Sequence, residues 1–241
     1  MVVARLHGVS KSYAVGRAAY GTLRDLFRRD HSKSERLLAL APVDLSVEAG
    51  EVLALVGDNG AGKRTVLKLL AGITPPDAGH VQVQGRISAL IEIGAGFHPE
   101  LTGRENALFH GALLGVSPAE MRRCLSDVIA FSGLDARMDH PLKQWSTGMM
   151  ARLGFSVAVH VAPALLLVDE VLAVGDTEFR ARCEARIRAL RDRGTAICFV
   201  SHDLEAVARV ADRALWLGDG CIQAAGNPQE VLEAYRAPNT A

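Results

Sequence analysis

Three stretches of this chain share one pattern, a short unbroken apolar run followed by a helix-like segment. VLALVG (52–57) leads through the polar, glycine-rich DNGAGK into RTVLKLLAG, whose apolar positions recur at helical spacing and which Gly72 closes. ALLLVDE (164–170) precedes a charged helical segment over 177–193, and AICFVSH (196–202) precedes the helical DLEAVARVADR. Strands without polar alternation are buried on both faces, so the pattern predicts a parallel sheet with helices on either side. Elsewhere the pattern differs. Residues 1–15 predict a short strand and then a polar turn ending near Tyr13. Val43, Leu45 and Val47 alternate as in a half-exposed strand, and 81–97 holds further short strands. Residues 103–160 read as mostly helical, interrupted at Pro118 and Pro141, and ALWLGDGCIQAAG (214–226) reads as a closing hairpin.

Composition narrows the function classes. The chain has 241 residues, 49% of them hydrophobic, which suits a substantial core and excludes a disordered or fibrous chain. Lys plus Arg equals Asp plus Glu at 27 each, so a nucleic-acid partner is not expected. Cys124, Cys183, Cys198 and Cys221 show no paired spacing and read as small buried apolar residues. No signal-peptide pattern or 18-residue apolar stretch occurs, so the chain is not expected to span a membrane unaided. One local imbalance stands out. Within 16–38, the run RAAYGTLRDLFRRDHSKSERLL carries six basic and three acidic residues, with Leu23, Leu26 and Phe27 at helical spacing. It predicts a basic amphipathic helix suited either to solvent or to an anionic headgroup or pyrophosphate.

The candidate chemistry lies at the ends of the three apolar strands. Gly57-Asp58-Asn59-Gly60-Ala61-Gly62-Lys63-Arg64-Thr65 follows a strand and opens a helix, the setting of a phosphate-binding loop. Glycines let backbone N–H groups converge on phosphate oxygens, the helix N-terminus adds partial positive charge, and Lys63 reaches the outer phosphates. One position departs from the pattern. A Ser or Thr hydroxyl normally follows the lysine as a Mg²⁺ ligand, and here Arg64 stands there, with donors and no acceptor. Either a water replaces the hydroxyl, or Thr65 shifts, or metal-dependent hydrolysis is weakened. Asp169 and Glu170 close the second strand, suited respectively to hold Mg²⁺ and to polarise an attacking water. Ser146 and Gly148, in WSTGMM, sit at a predicted helix start and are also explained as an ordinary N-cap. His202 ends the third strand.

Taken in order, these residues resemble the nucleotide-binding subunits of ABC transporters, and the resemblance covers essentially the whole chain. It implies an α/β P-loop NTPase fold over 1–241 as a single domain, with a mostly parallel core sheet, an N-terminal antiparallel β subdomain and an inserted helical subdomain at 103–160. It implies ATP and Mg²⁺ as cofactors and a head-to-tail dimer with a second copy. In that dimer Ser146 and Gly148 would meet the γ-phosphate held by the partner subunit. Asp176, after Gly175, would lie in the loop crossing the interface, His202 would sense the γ-phosphate, and Tyr13 would stack on adenine. The signature Trp-Ser-Thr-Gly-Met replaces the family's usual Leu-Ser-Gly-Gly-Gln. Residues 89–106 lack the customary glutamine, for which Glu92 is the nearest substitute. Both departures, and the basic insert, resemble the branch that exports O-antigen, capsule and teichoic acid chains. The resemblance therefore implies an ATPase at the cytoplasmic face of the inner membrane. It would power export of a lipid-linked polysaccharide through a separate integral membrane subunit. Larger members carry a carbohydrate-binding domain after the ATPase; since this sequence stops at Ala241, soon after its last helix, the expectation is that the domain is either lacking or has been removed. Two other readings remain: a dimerising, weakly hydrolysing regulatory module, and an ABC ATPase with no transport partner.

Overall fold

The computed structural model describes residues 1–15, 35–91, 96–169 and 176–237. Two sheets share the strands. β1 (Val2–Val15) lies between β2 (Glu35–Glu48) and β4 (Ala78–Val83) in an antiparallel three-stranded sheet. The second sheet has six strands in the order β5-β6-β7-β3-β8-β9, with β3 Val52–Val56, β5 Ile87–Leu90, β6 Leu165–Asp169, β7 Ala196–Val200, β8 Arg213–Gly218 and β9 Cys221–Gly226. Its first five strands run parallel and β9 turns back against β8. The helices are α1 (Lys63–Leu70), α2 (Gly103–Leu113), α3 (Pro118–Ser132), α4 (Thr147–His160), α5 (Thr177–Asp192), α6 (Leu204–Val210) and α7 (Pro228–Arg236).

The unbroken apolar runs have the expected cause. In β3, Leu53 and Leu55 face one core while Val52, Ala54 and Val56 face another, and β6 and β7 divide their residues in the same way. The first core joins α1 to both sheets, and the second packs α4, α5, α6 and α7 on the opposite face of the parallel sheet. A third core lies within the helical region around Met121, Met138, Leu153 and Val157. Pro118 starts α3 rather than interrupting a helix: with Ser117 as N-cap, its missing N–H is one that has no intrahelical partner anyway.

Three expectations are corrected. The polar turn near Tyr13 is strand: β1 continues to Val15, and Tyr13 pairs with Leu37. Polar residues are tolerated there because Asp77 accepts from Lys11 Nζ at 2.9 Å and from Ser12 Oγ at 2.7 Å. The end of the predicted basic insert, residues 35–38, belongs to β2, and the rest of it lies outside the described residues. The cysteines are not uniformly buried. Cys183 and Cys198 are, and burial pushes both thiols up to about 12, but Cys124 is half-buried and Cys221 is exposed on β9.

Candidate functional site

The carboxyl ends of β3, β6 and β7 meet at one edge of the parallel sheet, because β7 pairs with both of the other strands. That edge is where open α/β sheets place their ligands. A cavity of about 390 Å³ opens there, lined by Asn59 through Thr65, Asp169 and Val200. The loop leading into it begins at Gly57 and lines it from Asn59 to Gly62. Gly57 adopts φ 142°, and a Cβ at that position would collide with the Leu217 carbonyl oxygen. Gly62 caps α1 with φ 100°, and a Cβ there would come within 2.6 Å of the Ala39 carbonyl oxygen. Both positions therefore demand glycine. Among the described residues no side chain caps α1, and the helix begins at the cavity, where its N-terminal partial positive charge favours an anion.

Lys63, at the first position of α1, is buried and folds back over the loop. Its Nζ donates to the carbonyls of Gly57 at 2.6 Å and Asp58 at 2.8 Å. Arg64, the next residue, reaches across the cavity: Nε donates to Asp169 Oδ2 at 2.5 Å. The pair is asymmetric. The Asp169 side chain is 2% exposed, whereas that of Arg64 is 59% exposed. Thr65 also lines the cavity but stands about 100° further round the helix.

Other predicted residues lie elsewhere. His202 follows β7, exposed, and Asp203 N-caps α6 by accepting from Ala206 N at 2.9 Å. Ser146 N-caps α4 by accepting from Met149 N at 3.2 Å, and Ser146, Thr147 and Gly148 are all exposed. Tyr13 is 39% exposed on β1, with the Lys11 ammonium 5.7 Å from its ring centre. Neither Tyr13, Ser146 nor Gly148 lines the 57–65 cavity. Glu92, Glu170 and Gly175 lie outside the described residues.

A comparison with protein families matches residues 40–173 to the family described as ABC transporter. The chain belongs to that family. The O-antigen export system ATP-binding protein RfbB of Klebsiella pneumoniae is 43% identical over 204 residues, which cover 85% of this chain and 83% of that protein. The teichoic acids export ATP-binding protein TagH of Enterococcus faecalis is 38% identical over 229 residues, 95% of this chain and 51% of the longer relative. Among solved structures, an ATP-binding subunit of an ABC transporter superposes with a TM-score of 0.78 at 22% identity, covering 97% of this chain and 93% of the other. A dimeric ATP-binding cassette bound to ADP and Pi superposes equally well, with a TM-score of 0.78 at 20% identity over 93% of this chain and 98% of that one. The relatives bear out the polysaccharide-exporter resemblance, and the structural neighbours bear out the α/β cassette fold.

Three groups of contacts in this ABC family chain were not expected from the sequence. Asp176 accepts from Phe179 N at 2.8 Å as the N-cap of α5, which holds its carboxyl below the usual range, and Arg152 of α4 approaches it at 3.5 Å. Arg152 also lies 4.8 Å over the Phe179 ring, so the helix capped by Ser146 is fastened to the segment that follows β6. Asn106 is fully buried; it accepts from His98 N and donates to the carbonyls of His98, Leu101 and Thr102. Tyr235 of α7 donates its hydroxyl to Asp58 Oδ1 at 2.8 Å, tying the last described helix to the phosphate loop. Only the Asn106 turn had a local signal, the Thr102/Glu105 capping box beside it.

Proposed function

We propose that this chain binds ATP on the 57–65 loop and hydrolyses it to drive export of a lipid-linked polysaccharide through a separate integral membrane subunit. It would work as a head-to-tail pair of copies at the cytoplasmic face of the inner membrane, the whole of 1–241 acting as one ATPase domain. The observation that carries the reading is the phosphate cradle: a glycine-shaped loop, an uncapped helix N-terminus and a buried lysine around one cavity. The names of the relatives supply the substrate class.

In this reading the loop N–H groups and Lys63 hold the phosphates, and Tyr13 stacks on the adenine. Glu170, directly after Asp169, takes a proton from the attacking water. His202 orients the γ-phosphate, while Ser146 and Gly148 meet the nucleotide bound by the other copy. Asp176 lies at the interface and Glu92 stands in for the sensing glutamine. The basic insert faces the mouth of the channel. Among the described residues, no helix is long and apolar enough to cross a membrane, so transport requires the partner subunit. The donor set does not fit the Mg²⁺ that the family resemblance brings with ATP. Arg64 supplies no acceptor at the ligand position, and its guanidinium already engages Asp169. No step of this mechanism is assigned to the metal.

ATP turnover by the purified chain tests the proposal. Lys63→Ala and Glu170→Gln should each lower it by about 100-fold or more, and the parent should co-purify with a membrane subunit when both are expressed. Turnover that survives Lys63→Ala would overturn the assignment of the cradle. The Arg64–Asp169 pair specifically favours a second reading, a dimerising module with weak hydrolysis. Its mark would be a nearly silent parent awakened by Arg64→Ser.

A further inference from the structure

We infer that Arg64 is a built-in cation: its guanidinium takes the place of the divalent metal, and the cradle accepts ATP without it. The inference rests on the proposed ATP site and deepens it by naming the species bound, metal-free ATP.

Three observations converge on the same few ångströms. The position after Lys63 holds a side chain with five donors and no acceptor, so it cannot ligate a metal. That side chain crosses the cavity and ion-pairs with Asp169 at 2.5 Å. The Asp169 side chain it engages is almost fully buried, whereas the Arg64 side chain, which lines the cavity, is more than half exposed. A divalent ion at Asp169 would have to expel the guanidinium or sit against it. Like charges repel strongly at contact, and separating a carboxylate buried this deeply from its partner is costly.

The arrangement also has a positive use. Nε is one of five N–H donors, and the planar fork at the end of the side chain suits a pair of phosphate oxygens. Anchored by Asp169, the fork is oriented in advance. Lys63 on the same turn of α1 and the uncapped helix N-terminus then face the same anion from other directions. Two fixed monovalent cations thus surround the phosphates where a lysine and a mobile divalent ion would otherwise do so. Free ATP, with its full negative charge, becomes the natural ligand.

Equilibrium titration with a fluorescent ribose-labelled ATP, in excess EDTA and in excess Mg²⁺, tests this on the full chain and on Arg64→Ser. The parent should bind at least about tenfold more tightly in EDTA, because excess Mg²⁺ converts nearly all of the nucleotide to its metal complex, which the guanidinium repels. Arg64→Ser, which restores a hydroxyl, should bind at least about tenfold more weakly in EDTA than in Mg²⁺, the loss of a charge-assisted contact that only the metal then repairs. Circular dichroism establishes that the variant is folded. Mn²⁺, followed by its paramagnetic resonance in the presence of nucleotide and protein, should become protein-bound with Arg64→Ser and not with the parent. A parent that binds as well or better in Mg²⁺, or a variant that shares the parent's preference for EDTA, would overturn the inference and leave the ATP-site proposal standing. No binding by the parent in either condition would overturn both.

Discussion

At the scale of the residue, an acid-sensitive group is His110 of α2. Its ring is buried against Phe97, with centroids 5.1 Å apart, and neither ring nitrogen has a hydrogen-bond partner among the described residues. Burial lowers its pKa from 6.5 to about 4. The folded state therefore keeps this ring neutral where the unfolded chain would protonate it. The stability it protects is fully present above pH 6.5 and is lost as the pH falls towards 4, at up to about 1.4 kcal/mol per pH unit. Urea denaturation across that window should show the loss in the parent and a clearly flatter profile in His110→Leu. The same scale separates what could be read from sequence from what could not. Gly57, Gly62 and Lys63 announce themselves because their spacing is local and each serves one backbone turn. Arg64 is conspicuous as a departure, but its partner Asp169 lies 105 positions away, and Tyr235 lies 177 positions from Asp58. No local periodicity reports a hydrogen bond between residues so far apart.

At the scale of the element, the turn between Phe97 and α2 hangs on Asn106. Four hydrogen bonds converge on one fully buried amide, and three of them take up carbonyls that lead into the helix. Asn106→Ala strands those groups away from water and should cost about 3 kcal/mol in denaturation experiments. Asn106→Asp should not rescue it, because a carboxylate cannot donate to the three carbonyls. Of the parallel strands, β3, β6 and β7 were legible from their unbroken apolar runs. β1 was legible only in its first half, because its far half is polar: Lys11 to Tyr13 form a strand through pairing with Leu37 to Leu40 and through Asp77, none of which is local. The helical region was legible as helix, but its joints were not. The fastening of α4 to α5 depends on Arg152 meeting Phe179 and Asp176, and a charged residue in a helix ordinarily reads as solvent-facing.

At the scale of the whole molecule, the placement of Ser146 away from the 57–65 cavity has a sharp consequence under the head-to-tail proposal. Each nucleotide would be enclosed by the cradle of one copy and the α4 N-terminus of the other. A copy bearing Lys63→Ala and a copy bearing Gly148→Asp are then both inactive alone. Mixed, they create pairs with one intact site, so turnover should reappear in the mixture at a fraction of the parental rate. A mixture as inactive as its components would refute the shared site. The contact from Tyr235 to Asp58 extends beyond the site in another direction. The Tyr235 ring also lies edge-on to Trp216 of β8, with centroids 5.7 Å apart. The chain contains two tryptophans, and the other, Trp145, is buried in the helical region among Met138, Leu142 and their neighbours. The phosphate loop, a phenol and an indole thus stand in series. Any ligand that draws Asp58 away shifts the hydroxyl it holds and with it the surroundings of Trp216. With Trp145 replaced by phenylalanine, this protein would need no dye: its remaining indole is a natural optical gauge of whether the cradle is filled.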